Sequence, residues 1–136
     1  MSEIQFIIQF RGNETYTKQI LFPGRSLVGC VANFRVVPKL TGFATSLIPV
    51  LELVSGVDAG LVIESTLIVQ SIGGTSVPIG SGVITLTIAP TQTTSISPGE
   101  YLHSLKLHLP AVGAVEANKE SIMAGQLVRL PTINAA

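Results

Sequence analysis

The sequence predicts an all-β protein, a single-domain antiparallel β-sandwich of immunoglobulin-like or jelly-roll-like type that spans residues 1–136. Apolar and polar residues alternate along most of the chain, and a period of two is typical of strands with one buried face. β-Branched residues and leucine are dense, and turn residues recur about every 8 to 12 positions, as in sandwiches. The length is sufficient for one core, which favours one domain.

The first half of the chain contains five alternating segments. Predicted strands span 3–10, 16–22, 27–37, 46–54 and 61–72. Glycine, proline and asparagine predict turns between them at 12–14, 23–24 and 57–60. Pro38 ends the third strand because proline cannot donate a hydrogen bond to a ladder. Pro49 predicts that the fourth strand lies at a sheet edge or carries a bulge.

The second half begins with Gly73-Gly74, a dipeptide that favours a tight hairpin. Predicted strands then span 76–79, 83–89, 100–109 and 123–133, with a glycine-rich link at 80–82, one short helical turn near 90–95 and a loop over 111–121. The alternation predicts that Ile84, Leu86 and Ile88 point into the core. We expect the three long strands after residue 82 to form one half of the sandwich.

The composition favours a subunit of an assembly. Hydrophobic residues make up 46% of the chain and charged residues only 12%, about half the ordinary share. Such a surface offers little repulsion between copies. The eight basic residues are scattered and balanced by eight acidic ones, so no nucleic-acid partner is expected. No apolar run approaches the ~18 residues of a membrane span, and the first residues lack a secretory signal pattern. We expect no membrane insertion and synthesis in a cytoplasm.

The cysteine and the two histidines do not form a reactive constellation. Cys30 is the only cysteine, which excludes an intrachain disulfide, and we expect it to be a small buried side chain in the third strand. His103 and His108 are five positions apart in one predicted strand, so they lie on opposite faces and cannot share a metal ion. His103 shares a face with Tyr101 and is predicted to be a core histidine.

Carboxylates and serines give no catalytic pattern either. Only Glu116 and Glu120 are near neighbours, and we expect them in a solvated loop that Lys119 partly neutralises rather than in an acid–base pair. Serine occurs without a nucleophile elbow, and the glycine-rich stretches precede strands instead of helices. Tryptophan is absent. The sequence therefore predicts a non-enzyme with no catalytic, cofactor-binding or metal-binding residues and no cofactor.

Three C-terminal segments carry a family resemblance. ITLTIAPTQTTSISPG, GEYLHSLKLHL and GQLVRLPTI together resemble small β domains of tailed-phage virions, in particular the N-terminal domain of upper baseplate and tail-fibre proteins. In the N-terminal half, residues 11–15 stand in the place of the family's Gly-Asp or Gly-Asn turn, and residues 26–29 in the place of its Asp-Leu-Thr-Gly. His103 and Ser104 depart from the family's aromatic residue and aspartate. The resemblance implies that Gly99 sets a turn, Tyr101 anchors the core and Gly125 starts the closing strand.

The resemblance implies a non-enzymatic structural protein of the phage virion, a tail, baseplate or fibre-attachment component assembled in the host cytoplasm. Its expected partners are other virion proteins and further copies of itself. Two alternatives remain at this point. A capsid decoration protein would have the same uncharged surface, and a carbohydrate- or receptor-binding β-sandwich would use Tyr16, Tyr101 and the polar loop at 91–97.

Overall fold

Strands dominate the computed structural model of the protein, which describes residues 4–39, 48–109 and 118–133. Within these ranges nine strands and one short helix follow each other along the chain. They are β1 (Ile4–Gln5), β2 (Ile8–Arg11), β3 (Tyr16–Phe22), β4 (Val31–Pro38), β5 (Leu51–Val54), β6 (Leu61–Ile72), β7 (Thr75–Ile88), α1 (Pro90–Ser95), β8 (Gly99–Leu109) and β9 (Asn118–Leu130).

The strands form two sheets. The larger one has the order β1-β9-β8-β4-β5, with β2 also paired to β9, and the smaller one has the order β3-β7-β6. Neighbours are antiparallel except that β1 and β2 run parallel to β9. The predicted all-β sandwich is confirmed, and the predicted edge position of the strand after Pro49 is confirmed by β5.

The core lies between the two sheets and follows the predicted alternation. Ile84, Leu86 and Ile88 of β7 are fully buried, as expected, and they belong to one cluster with Phe34 and Leu105 of the larger sheet. Burial of apolar surface at about 25 cal/mol per Å² is the main stabilising term for such a cluster. The period-two pattern therefore located the core face correctly.

The expectation that the strands after residue 82 form one half of the sandwich is wrong. β7 lies in the smaller sheet, whereas β8 and β9 are neighbours in the larger one. Helix α1 lies between β7 and β8 in the chain, with Pro90 at its start and the Gln92 side chain accepting a hydrogen bond from the Ala89 amide. The Thr93 hydroxyl, which is buried, donates to the Glu14 carbonyl at 2.8 Å. This anchored helix carries the chain from one sheet to the other.

The third strand begins four residues later than predicted. Residues 27–30 form a turn in which the Cys30 amide donates to the Leu27 carbonyl and Gly29 has φ +80°. Leu27 is buried although it belongs to no strand, and Cys30 is half-buried just before β4 instead of inside it. Leu27 thus packs into the core from a loop, and the apolar residues at 27–30 resemble a strand in sequence only.

Four other predicted boundaries are corrected. The strand at 3–10 is interrupted at residues 6–7, and 48–50 is a bend that leaves β5 as the strand. Residues 76–89 are joined in the single strand β7, so 80–82 is not a link. The closing strand starts at Asn118, which places 118–121 in β9 instead of a loop, and it ends before Pro131. The rest of that predicted loop, 111–117, and residues 46–47 lie outside the described ranges.

Candidate interaction surface

A two-stranded ribbon extends from the smaller sheet. The β6–β7 pairing runs from Leu61 opposite Leu86 to Ile72 opposite Thr75, whereas β3 accompanies β7 only as far as Phe22 opposite Gly82. Beyond that point β6 and β7 continue together without a third described strand. We call residues 66–81 the distal ribbon.

The hairpin at the tip of the distal ribbon has the predicted form. Gly73 and Gly74 have φ values of +59° and +82°, and they connect Ile72 directly to Thr75. Two successive residues with positive φ define the two-residue turn whose twist matches that of paired strands. Glycine adopts this conformation without steric cost, so the dipeptide fixes the register of the whole ribbon.

Apolar side chains of the distal ribbon are exposed to an unusual degree. Leu67 and Val69 are 72% and 70% exposed, and Ile72 is 55% exposed. Leu67 lies opposite Gly80, which has no side chain to cover it, and Val69 lies opposite Pro78. Exposed apolar groups gathered in one place mark interaction sites in soluble proteins.

The distal ribbon is also free of charge. Residues 65–99 contain no Asp, Glu, Lys, Arg or His, although the chain has sixteen acidic and basic residues altogether. This gap was visible in the sequence and could have identified the ribbon as a distinct surface. This surface was not identified from the sequence, because residues 80–82 were interpreted as a link between two short strands. That interpretation made the predicted hairpin shorter than the observed one.

The base of the distal ribbon is fixed to the sandwich. The Ser81 hydroxyl accepts a hydrogen bond from the Gly24 amide at 3.0 Å and donates to the Ile79 carbonyl at 3.3 Å. The buried Leu27 side chain lies directly over Gly82, where a methyl group would come within 2.4 Å of it. The loop after β3 thus clamps β7 where the ribbon leaves the core.

The histidines are separated as predicted. His103 is buried at 2% exposure, and its Nε2 lies 3.0 Å from the Phe6 carbonyl oxygen, while His108 lies on the other face of β8. Burial lowers the pKa of His103, and the hydrogen bond to Phe6 opposes that shift only partly. His103 is therefore a neutral core histidine, which confirms the prediction. In the part of the chain that the structure describes, no group of three His, Cys, Asp or Glu residues could hold a metal ion.

The predicted environment of Glu120 is wrong. Glu120 lies on β9 and forms a two-pronged ion pair with Arg25, with N–O distances of 3.1 and 2.5 Å. The Arg25 guanidinium lowers the pKa of the Glu120 carboxyl by hydrogen bonding and charge. Glu116 lies outside the described residues. Glu120 thus connects the loop after β3 to the larger sheet and acts structurally.

Both tyrosines that were candidates for sugar binding pack in or against the core. Tyr101 is 9% exposed, and its hydroxyl donates to the Ser97 carbonyl at 2.7 Å. This bond to a backbone group four residues upstream resembles the tyrosine corner of Greek-key sandwiches. Tyr16 is partly buried against Phe10, with ring centroids 6.1 Å apart, and burial raises the pKa of its hydroxyl.

The two glycines emphasised by the resemblance have different functions in the structure. Gly99 opens β8 with φ +152°, in accord with its expected place at a turn. Gly125 lies in the middle of β9 instead of at its start. A methyl group on Gly125 would lie 2.2 Å from the Phe6 carbonyl oxygen and 3.3 Å from His103 Nε2. Gly125 therefore permits the close contact between the N-terminal segment and β8.

A hollow beside the turn after β5 has a volume of about 620 Å³ and is open to solvent. Cys30 and Asp58 are its titratable residues. The Asp58 carboxylate accepts a hydrogen bond from the Val54 amide at 2.8 Å, which closes the turn after β5. A turn-capping carboxylate and a lone thiol do not form a nucleophile–base pair. The hollow gives no support for catalysis.

Comparison with known proteins adds little to this picture. No protein-family model and no curated protein matches the chain, and the described part contains no helix long and apolar enough to cross a membrane. Among solved structures, the chain is similar to a mutant of the adhesin CfaE of enterotoxigenic E. coli CFA/I, with 10% identity and a TM-score of 0.28. The alignment covers 100% of this chain and 47% of the adhesin, so the chain spans about half of that protein's length.

Proposed function

We propose that the protein is a non-enzymatic structural subunit of a tailed-phage virion, a tail, baseplate or fibre-attachment component that acts by assembling with other copies and other virion proteins. The observation that carries the proposal is the distal ribbon, with Leu67 and Val69 about 70% exposed in a charge-free hairpin.

The energetics of the distal ribbon support an assembly function. An isolated two-stranded hairpin is marginally stable in water and gains stability from a packed face. Contact with a neighbouring subunit would remove Leu67 and Val69, which share one face of β6, from water. Full burial of such a side chain contributes about 1.5 to 3 kcal/mol. A catalytic function has no comparable support, because His103, Glu120 and Asp58 all form hydrogen bonds that hold the fold together.

The resemblance of residues 84–99, 99–109 and 125–133 to upper baseplate and tail-fibre domains supports a position in the tail. A sugar-binding function would need an accessible aromatic platform, and Tyr101 is committed to the core. The buried Tyr101 therefore favours assembly over carbohydrate binding.

Mass spectrometry of particles purified from a host that carries the gene tests the proposal. Trypsin cuts after Lys39 and Lys106 but has no site between them, so the ribbon would stay inside one large fragment. Chymotrypsin is the better protease because it cuts at leucine and aromatic residues within this stretch. We expect stoichiometric peptides of the chain in intact particles and density for it in a cryo-EM map of the tail. Absence from the particles would overturn the proposal, and density on the head would identify a capsid decoration protein instead.

A further inference from the structure

We propose that β6 is a self-pairing edge strand, so that two copies of the chain join β6 to β6 in antiparallel orientation about a two-fold axis at Ile68. The smaller sheets of the two copies would then form one continuous six-stranded sheet. This pairing names a second copy of the chain as the partner of the distal ribbon. Its place in a virion rests on the proposed function.

The outer edge of β6 lacks the features that protect edge strands. It runs for twelve residues without proline, pairs with β7 without a register shift, and has no described strand on its other side. Its one charged residue is Glu64, near its base. Natural edges are usually short, charged, interrupted by proline or bulged. At the edges of the larger sheet, β5 has four residues and a glutamate, and β2 has four residues after an interruption. The other edge of the smaller sheet, β3, has seven residues and carries Lys18 near its middle.

The side chains of β6 are arranged symmetrically about Ile68. Residues 65–71 read Ser-Thr-Leu-Ile-Val-Gln-Ser, a sequence in which polarity is the same in both directions. Antiparallel pairing centred on Ile68 places Ser65 opposite Ser71, Thr66 opposite Gln70 and Leu67 opposite Val69. Each residue thus meets one of its own kind, which is the arrangement that stabilises cross-strand pairs.

Neighbouring registers do not share this match. Only every second residue of an edge strand directs its N–H and C=O groups outward. A two-fold axis placed between two residues would pair each outward-facing residue with an inward-facing one, so the axis must lie at a residue. A shift of the axis to Leu67 would place Ser65 opposite Val69, and a shift to Val69 would place Leu67 opposite Ser71. The polarity pattern therefore selects Ile68 as the centre.

Packing and charge agree with the same register. A two-fold axis perpendicular to the sheet keeps each face of β6 on the same side, so Leu67 and Val69 of both copies would form one apolar cluster. Each Glu64 would lie opposite Ile72 of the other copy, about 27 Å from the second Glu64 at roughly 3.4 Å per residue. This distance exceeds the Debye length of about 8 Å at physiological ionic strength. No charge on the ribbon opposes the pairing.

Cysteine cross-linking of the full chain tests the register. In a Cys30→Ser background, Ile68→Cys should cross-link to itself on mild oxidation with diamide, because directly opposite residues have Cα atoms about 4.5 to 5.5 Å apart. Thr66→Cys is the matched control and should not cross-link to itself, since its two copies would be about 13 Å apart. Mixing Thr66→Cys with Gln70→Cys chains should give a cross-linked heterodimer. Equal cross-linking of Ile68→Cys and Thr66→Cys, or none with Ile68→Cys, would overturn the proposal.

A charge exchange at the axis gives an independent test by sedimentation equilibrium. Ile68→Lys and Ile68→Glu should each weaken dimerisation at least about tenfold, because like charges would face each other at the axis. An equimolar mixture should recover the dimer, a result that loss of folding in either variant could not produce. Failure of the mixture to dimerise, together with a monomeric parent chain, would contradict self-pairing.

The two proposals can fail separately. Cross-linking at Ile68 by a chain that is absent from particles would leave the pairing valid and remove the virion function. A chain present in particles that shows no cross-link at Ile68 would retain the function and reject this interface.

Discussion

The Nε2 atom of His103 lies 3.0 Å from the carbonyl oxygen of Phe6, and this contact joins the N-terminal segment to the middle of the larger sheet. A carbonyl only accepts hydrogen bonds, so Nε2 carries the proton and donates it. In the neutral ring Nδ1 is then bare, and no described residue bonds to it. The Phe6 ring packs against the His103 ring at 5.3 Å, and Lys18 lies 4.7 Å over the Phe6 ring.

Protonation of His103 should destabilise the fold. Burial lowers its pKa in the folded state, so the unfolded chain, with a pKa of about 6.5, binds the proton more readily. The stabilising effect is complete above about pH 6.5 and is lost as the pH falls through the lower folded-state pKa. Urea unfolding between about pH 7.5 and 5.5 should therefore show a fall in the free energy of unfolding. His103→Gln should abolish this dependence, and His108→Gln, on the other face, should preserve it.

Gly125→Ala should separate the N-terminal segment from β9. The new methyl group would lie 2.2 Å from the Phe6 carbonyl oxygen, and φ at Gly125 is +154°, a conformation that alanine rarely adopts. We expect a loss of roughly 1 to 3 kcal/mol in the free energy of unfolding. The matched control is Gly80→Ala, where a methyl group has no neighbour within 4 Å, and its effect should stay within about 0.5 kcal/mol. Equal losses in the two variants would contradict this explanation.

Leu27→Ala should be as costly as a substitution inside a strand. Leu27 is 2% exposed and packs over Gly82, so its truncation should cost about 2 to 5 kcal/mol. Val28→Ala is a suitable control because Val28, the next residue, is 76% exposed. Chemical denaturation of both variants checks the prediction. An effect at Leu27 below about 1 kcal/mol would mean that this loop does not clamp β7.

The Arg25–Glu120 ion pair should contribute modestly to stability. Its side chains are 27% and 21% exposed, so solvent screening limits the coupling to about 1 kcal/mol. A double-mutant cycle with Arg25→Ala and Glu120→Gln measures it. Since Arg25 lowers the pKa of Glu120, the contribution is present above the unfolded-state pKa of about 4.3 and is lost as the pH falls below it. The more exposed Lys39–Glu100 pair, at 3.6 Å, should show coupling near zero.

The sequence allowed prediction of features that depend on neighbouring residues. Alternation identified the buried face of β7 at Ile84, Leu86 and Ile88, and Gly73-Gly74 identified the hairpin. Both signals are local, because a strand's period and a turn's positive φ values depend on a few adjacent residues. The bounds of β3 and β6 were correct for the same reason.

Features that depend on distant contacts were missed. Leu27 has the pattern of a strand residue, but it is buried because Gly82, far along the chain, leaves room for it. Gly125 was interpreted as the start of a strand. A glycine is needed at this position because the Phe6 backbone, from the other end of the chain, lies too close for a side chain. The length of the distal ribbon depends on the point at which β3 stops accompanying β7, a tertiary fact without a local signal.

The parallel pairing of β1 and β2 with β9 determines how the protein would respond to mechanical force. Ile4 lies opposite Met123 and Arg11 opposite Leu130, so the two terminal strands are adjacent and run in the same direction. Tension applied from the N-terminal end of β1 to the C-terminal end of β9 would slide the two strands past each other. Their hydrogen bonds would be loaded together in shear instead of opening one at a time, which makes this ladder a strong tether between whatever is joined at its two ends.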